Sequence, residues 1–243
     1  AVPECQLVVP ELLDVSALMD DLASIGGSRK GEMSVNVTLS EVGLDVFVLG
    51  GKPLDQTLTL ALSGIVEKHN LARLTWDDEV IGMRNPPYQI FGKARVAPPP
   101  GAFLQATEHG QNALTAAVMD AVSGARGVDL FAGSGTFTLP LAERSEMLGV
   151  EGDKAMIAAL DTGWRKAKGL KKVEAVARDL FRRPLLPDEF KHFDFAVLDP
   201  PRAGADAQVA EIAKSALTQL AYVSCNPVTF ARDAKTLIEA GFT

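Results

Sequence analysis

The sequence predicts an α/β protein, with a doubly wound, mostly parallel, Rossmann-like sheet over residues 101–243 and a smaller α+β domain with antiparallel strands over residues 1–100. Three observations predict it. From about residue 101, short continuous apolar runs alternate with amphipathic helical stretches, as in a parallel sheet covered on both faces. Before residue 100, apolar and polar residues alternate at period two, as in strands with one wet face. Between these regions stands Pro98-Pro99-Pro100-Gly101, the punctuation of a boundary.

In chain order, "ELLDVSALMDDLAS" reads as an amphipathic helix and "EMSVNVTLSEVGLDVFVLGG" as two antiparallel strands. "LTLALSGIVEKHN" is a second helix, and "LARLTWDDEVIGMRNPPYQIFGKARVAPPP" holds further short strands split by Asp, Gly and Pro. Beyond the boundary the expected buried strands are "GVDLFA", "MLGVEG", "VEAVARDL", "FDFAVLDP" and "LAYVSC". The helices among them include "DKAMIAALDTGWRKAKG" and "DAQVAEIAKSAL", and "VTFARDAKTLIEAG" follows the last strand. No internal repeat or low-complexity segment is visible.

Composition bounds the function. At 243 residues with 47% hydrophobic and 23% charged content, the chain suits a globular protein with a sizeable core. No run approaches the roughly 18 apolar residues of a membrane helix, and the N-terminus lacks a signal-peptide pattern. A cytoplasmic monomer without membrane contact is expected. Two cysteines, Cys5 and Cys225, are too few for a disulfide framework or a cysteine zinc site. The net charge of −7 argues against an obligate nucleic-acid binder. The basic clusters Arg165, Lys166, Lys168, Lys171 and Lys172, and Arg182 with Arg183, read as solvated helix ends with phosphate contacts as the competing use.

In a parallel sheet of this kind ligands sit beyond the carboxyl ends of the strands, and the informative residues fall there. The first strand ends in "DLFAGSGTF", where Gly133 and Gly135 allow a tight turn and close backbone approach to a ligand at a helix start. Glu151 ends the second strand, where a carboxylate can accept from both hydroxyls of a ribose. Dinucleotides and S-adenosylmethionine both use this arrangement. The dinucleotide fingerprint wants a third glycine, whereas Leu139 and Pro140 follow here, so the loop suits a cofactor without a pyrophosphate. Asp179 closes the third strand, as an acid for an adenine edge or as a cap. Asp199 opens "DPPR" at the fourth, where two prolines fix a rigid turn over the pocket, and Cys225 stands in "VSCNP" at the fifth.

In this order "PGAFLQATEHG", "DLFAGSGTFTLPLA", "VEGD", "DPPRAG" and "VSCNPVTFARDAKTL" resemble the RNA uracil-5-methyltransferases, the family that makes 5-methyluridine in ribosomal and transfer RNA. The resemblance covers roughly residues 100–243 and implies the class I methyltransferase fold. It implies S-adenosylmethionine binding by Gln105, Phe131, Thr136, Glu151, Asp179 and Asp199, and catalytic roles for Cys225, as nucleophile, and for Asp199. Some members carry Asn at the place of Thr136. "PECQLVVPELLDVSALMDDL" further resembles the central region of 23S ribosomal RNA members, in which the cysteine at the place of Cys5 is the fourth ligand of a 4Fe-4S cluster. The resemblance places the other three ligands and a β-barrel RNA-binding domain before residue 1, and a proton-abstracting glutamate after residue 243. The chain therefore reads as a fragment, with residues 1–100 as a central domain able to contact RNA, and with a cluster implied only for a longer chain.

The chemistry explains the cysteine. Uracil C5 is a poor nucleophile, and thiolate addition to C6 turns the ring into an enolate with electron density at C5. Asn226-Pro227 and the helical pattern after it set the thiol at the positive end of a helix, where a thiolate is favoured. RNA cytosine-5 enzymes of similar fold usually carry a second cysteine in the fourth-strand motif; "DPPRAG" has none, which favours uracil. Two competing readings remain at this point. Asn85-Pro86-Pro87-Tyr88 matches the N-P-P-Y of amino-methyltransferases, with a proline-rich turn as the plainer reading. A non-catalytic RNA-binding scaffold would keep the fold without needing the cofactor or a reactive Cys225.

Overall fold

The computed structural model describes residues 8–28 and 31–243, so Cys5 and the cluster role expected of it lie outside the described residues. The chain divides into two compact units. One runs to Gln89 and includes Ala97–Gly101; the other comprises Ile90–Val96 and Ala102–Thr243.

The first unit contains α1 (Pro10–Leu13), α2 (Ser16–Gly26), β1 (Ser34–Ser40), β2 (Gly43–Leu49), α3 (Gln56–Lys68), β3 (Arg73–Trp76) and β4 (Glu79–Met83). β1 and β2 form a hairpin in register from Ser34↔Leu49 to Ser40↔Gly43. The expected antiparallel sheet is in fact mixed: β2 and β3 pair in parallel, from Asp45↔Arg73 to Val48↔Trp76. The reason is α3, which carries the chain back across the sheet between them, as a parallel pair requires. Asp55 starts that helix, accepting from the Leu58 amide at 2.7 Å. Trp76 anchors the core at 0% exposure and donates its indole N–H to the Lys52 carbonyl at 3.0 Å. Its ring also explains Gly51, where a Cβ would lie 1.9 Å from an indole carbon.

The second unit opens with the hairpin β5 (Gln89–Phe91) and β6 (Ala94–Val96), assigned to it from Ile90 onward. There follow α4 (Glu108–Ala121), β7 (Arg126–Leu130), α5 (Thr138–Leu141), β8 (Glu146–Glu151), α6 (Lys154–Lys166), β9 (Val173–Ala177), a 3-10 turn (Pro187–His192), β10 (Phe195–Leu198), α7 (Asp206–Ile212), β11 (Leu220–Tyr222) and α8 (Pro227–Glu239). The five strands pair in parallel in the order β11-β10-β7-β8-β9. The order reverses between β10 and β7, which makes the ends of those two strands the switch point where such sheets bind ligands.

Residues along one strand go to opposite faces, and here both faces are covered. Val128, Leu130, Ala196 and Leu198 pack with Val209 and Ile212 of α7 and Leu237 of α8. Phe195 and Val197 pack with Val118 of α4 and Leu160 of α6. That double burial is why the strands read as continuous apolar runs. α4 has no counterpart among the expected elements, because its apolar stripe is sparse and only Val118 is buried. The glycine loop opens onto the single turn α5, all four residues of which are buried, before the chain returns into β8.

Candidate active site

The strand registers bring the sequence motifs into one tier. Leu130 pairs with Leu198 and with Val150, so the next residues, Phe131, Asp199 and Glu151, leave their strands at the same level. The Asp199 amide extends the ladder by donating to the Leu130 carbonyl at 3.3 Å. Cys225 stands three residues beyond the end of β11 and is exposed.

At the end of β7 the chain turns sharply. Phe131 has φ +64°, a left-handed conformation unusual for a residue with a side chain and of the kind found where function over-determines the backbone. Its ring meets Phe181 from the turn after β9, with centroids 5.4 Å apart and planes tilted 54°. Gly133 has φ +55° and nothing within 4 Å of where a Cβ would stand, so the loop presents bare backbone to open space. Gly135 has φ +102°, and a Cβ there would fall 2.8 Å from Leu139. Thr136 follows, half-buried.

Glu151 fixes this loop. Its Oε2 accepts from the Gly133 amide at 3.1 Å and its Oε1 from the Asp153 amide at 3.0 Å, leaving further lone pairs on both oxygens. Gln105 donates through Nε2 to Asp199 Oδ2 at 3.3 Å, which joins two of the expected cofactor residues. Burial pushes the Asp199 carboxyl up to about 6. Asp179 has the capping geometry: its Oδ1 accepts from the Phe181 and Arg182 amides at 3.0 and 3.2 Å.

Sequence reasoning gave no role to Asp129, which is fully buried within β7. Thr138 donates to its Oδ2 at 2.6 Å, but its Oδ1, like Ser134 Oγ, has no hydrogen-bond partner among the described residues. Burial, opposed by the Thr138 hydrogen bond and reinforced by repulsion from Asp199 and Glu151, pushes Asp129 up to about 7. The signal was present, since an acid inside the buried run "GVDLFA" demands a reason. Asp129, Glu151 and Asp199 thus gather negative potential around an open glycine loop. Carboxylates so arranged, with orphaned buried polar atoms and a bare backbone cradle, fit a cationic nucleoside such as S-adenosylmethionine. Among the described residues no three His, Cys, Asp or Glu side chains group to hold a metal ion, and no helix is long and apolar enough to cross a membrane.

The Cys225 loop joins the same rim. Asn226 caps α8, accepting from the Val228 amide at 3.1 Å, and through Nδ2 it donates to the Arg202 carbonyl at 2.9 Å. The segments bearing Asp199 and Cys225 are therefore bonded to each other. Asn85-Pro86-Pro87-Tyr88, by contrast, is the turn leaving β4 in the first unit, where the Asn85 amide donates to Ala72 and the Tyr88 carbonyl accepts from Glu41.

This sheet order, with a glycine loop after the first strand and acids at the strand ends, is the architecture of the S-adenosylmethionine-dependent methyltransferases. The family model described as tRNA (Uracil-5-)-methyltransferase matches residues 100–241, and the chain belongs to that family. An uncharacterized RNA methyltransferase of Brucella suis is 43% identical over 98% of this chain and 58% of its own length. The 23S rRNA (uracil(1939)-C(5))-methyltransferase RlmD of Xylella fastidiosa is 31% identical over 98% of this chain and 57% of its own. The chain thus spans somewhat over half the length of these relatives. In fold it resembles the Pyrococcus abyssi tRNA (uracil-54, C5)-methyltransferase, solved in complex with S-adenosyl-L-homocysteine. That match has a TM-score of 0.72 at 20% identity and covers 93% of this chain and 59% of that one.

Proposed function

We propose that the protein methylates C5 of a uridine in RNA from S-adenosylmethionine, with Cys225 as a covalent nucleophile. The observation that carries this reading is the exposed Cys225 at the mouth of a capped helix, hydrogen-bonded through Asn226 to the loop of Asp199. Glu151 and the Gly133 backbone hold the cofactor's ribose end, Phe131 offers an apolar wall to its purine, and Asp129 and Asp199 favour its positive charge. Gln105, Thr136 and Asp179 complete the set by family position. When bound, the cofactor supplies an electrophilic methyl group.

The Cys225 thiolate adds to C6, forming the S–C6 bond and moving the ring's electron pair to C5 and O4. Asp199, its carboxyl pushed up to about 6 by burial, is mostly ionised at neutral pH and stands on the same rim as Cys225, facing the reacting centre as a carboxylate. Once C5 carries the methyl group, a base takes the C5 proton, the role that family resemblance gives to a glutamate after residue 243; the C–H electron pair re-forms the C5–C6 double bond as the S–C6 bond breaks and the thiolate leaves. Ribosomal RNA is favoured as substrate, because a relative named for that reaction aligns along nearly the whole chain. Likeness to the transfer-RNA enzyme is one of fold.

The test is a mass shift. With cofactor and a 23S ribosomal RNA fragment bearing 5-fluorouridine, which has no C5 proton to lose, Cys225 should be trapped as a stable adduct, and Cys225→Ser should give none. Methyl transfer by Cys225→Ser, or methylation of an exocyclic amine, would overturn the reading. Tight cofactor binding with no adduct on any RNA would favour the scaffold.

A further inference from the structure

Asp233 lies within α8, two turns beyond Cys225, and is 1% exposed on the helix face that also buries Leu237. A buried carboxylate is costly unless its lone pairs are filled, and these are filled from three directions. Its Oδ2 accepts the Tyr222 hydroxyl at 2.6 Å and the Ala205 amide at 2.7 Å, and its Oδ1 accepts Arg232 Nε at 2.8 Å. The same Arg232 donates through a terminal nitrogen to the Ala203 carbonyl at 3.1 Å. One helical turn nearer Cys225, the Thr229 hydroxyl donates to the Arg202 carbonyl at 3.2 Å, beside the Asn226 bond to that oxygen. Gly204, at φ +79°, passes so close that a Cβ would fall 2.7 Å from Asp233 Oδ2.

Residues 226, 229, 232 and 233 fall at helical spacing on one face of α8, and they take the backbone groups of 202, 203 and 205 in turn. β10 and β11 share only three register pairs, from Ala196↔Leu220 to Leu198↔Tyr222, and end below this level. The side chains therefore carry the connection between the two loops. An apolar residue at 233 would bury the helix as well, but it would not fix a direction. A saturated carboxylate admits one arrangement of its donors.

We propose that Asp233 is a positioning residue that locks the Cys225 loop to the Asp199 loop, acting through Tyr222, Arg232 and the Ala205 amide. The assignment rests on the roles given above to Cys225 and Asp199. Misplacement of a reacting group by about 1 Å can lower a rate by roughly 10²-fold.

The experiment compares the parent with Asp233→Asn, which keeps the volume and turns an acceptor into a donor, and with Tyr222→Phe, which removes one bond. Amide exchange in segments 202–206 and 224–230 should quicken by roughly tenfold in Asp233→Asn, with the remaining parallel sheet as protected as in the parent. S-adenosylhomocysteine affinity should stay within about threefold, because the Gly133 and Glu151 end is untouched, while adduct formation on 5-fluorouridine RNA falls by about 10²-fold. Tyr222→Phe should lie between the two proteins, and it decides the matter if Asp233→Asn does not fold. An unchanged adduct rate, or a loss of protection spread evenly over the unit, would overturn the proposal. A parent that forms no adduct would sink the role of Cys225 instead, and the exchange map would then decide alone: unchanged protection in both loops refutes the lock.

Discussion

Each unit buries a charged group, and the two are treated in opposite ways. In the first unit Arg73 faces Asp45 in a two-pronged contact, Nε to Oδ1 at 2.8 Å and a terminal nitrogen to Oδ2 at 2.6 Å, and the same nitrogen reaches the Pro98 carbonyl at 3.0 Å. In the second unit Asp129 has one hydroxyl donor, no hydrogen-bond partner for Oδ1 among the described residues, and two carboxylates acting against it. The paired charge is structural, fixing β3 and the segment after β6 in place. The under-paired group stands beside the glycine loop to which the proposed function assigns the cofactor, and buried groups left wanting are concentrated at functional sites. Satisfaction, rather than burial, separates the two.

The largest expected effect breaks the satisfied pair. Arg73→Met leaves Asp45 uncompensated and should destabilise the first unit by about 3–5 kcal/mol, read as faster amide exchange across β2 and β3. Adding Asp45→Leu should restore most of it; a single variant as stable as the parent would show that the pair does not hold the sheet.

Next comes the under-paired acid. A carboxyl raised in the folded state favours folding while it is protonated, so its contribution is present below about pH 4 and is lost as pH rises through about 7. The parent should therefore lose stability of the order of a few kcal/mol over that window, and Asp129→Asn should lose less. Denaturant midpoints of both proteins between pH 4 and 8 check this, and parallel pH curves would refute it. The same charges make a sharper comparison between ligands. S-adenosylmethionine should gain affinity over neutral-sulfur S-adenosylhomocysteine as pH rises from 5 to 8 and the carboxyls of Asp199 and Asp129 ionise.

Glu151→Ala should weaken either ligand by about 1.5–3 kcal/mol, the worth of hydrogen bonds to a charged group. Calorimetry showing undiminished affinity would remove Glu151 from the site. The smallest effect belongs to Asp179. As a cap its loss should lower stability by about 1 kcal/mol, and only a drop in cofactor affinity under conditions where the variant is fully folded would give it the adenine role.

Much of this was legible along the chain because parallel strands buried on both faces write continuous apolar runs, and because the motifs fall where those runs end. The mixed pairing of the first sheet was not legible, since period-two alternation in β2 and β3 says which face each residue takes and nothing about the direction of the neighbour. α4 escaped because a helix with one buried residue carries almost no stripe. Asp233 escaped for another reason: within "ARDAKTL" it reads as one more charge on a polar helix face, and only the packing of that face, which it shares with Leu237, against the 202–205 segment reveals it as buried.

By itself the sequence determined which strands and loops would line the carboxyl ends of the parallel sheet and which residue types would stand there. Propensity, apolar periodicity and the turn chemistry of Gly, Pro and Asp act over a few neighbours, and the glycine loop, "DPPR" and "SCNP" are local in that sense. The tertiary structure decided what those residues do to one another. Whether Asp129 finds a donor, whether Glu151 ties the glycine loop, and whether Asp233 joins two strand ends depend on partners 9 to 28 positions away along the chain. Desolvation and hydrogen-bond saturation arise only when packing brings such groups together and excludes water from around them.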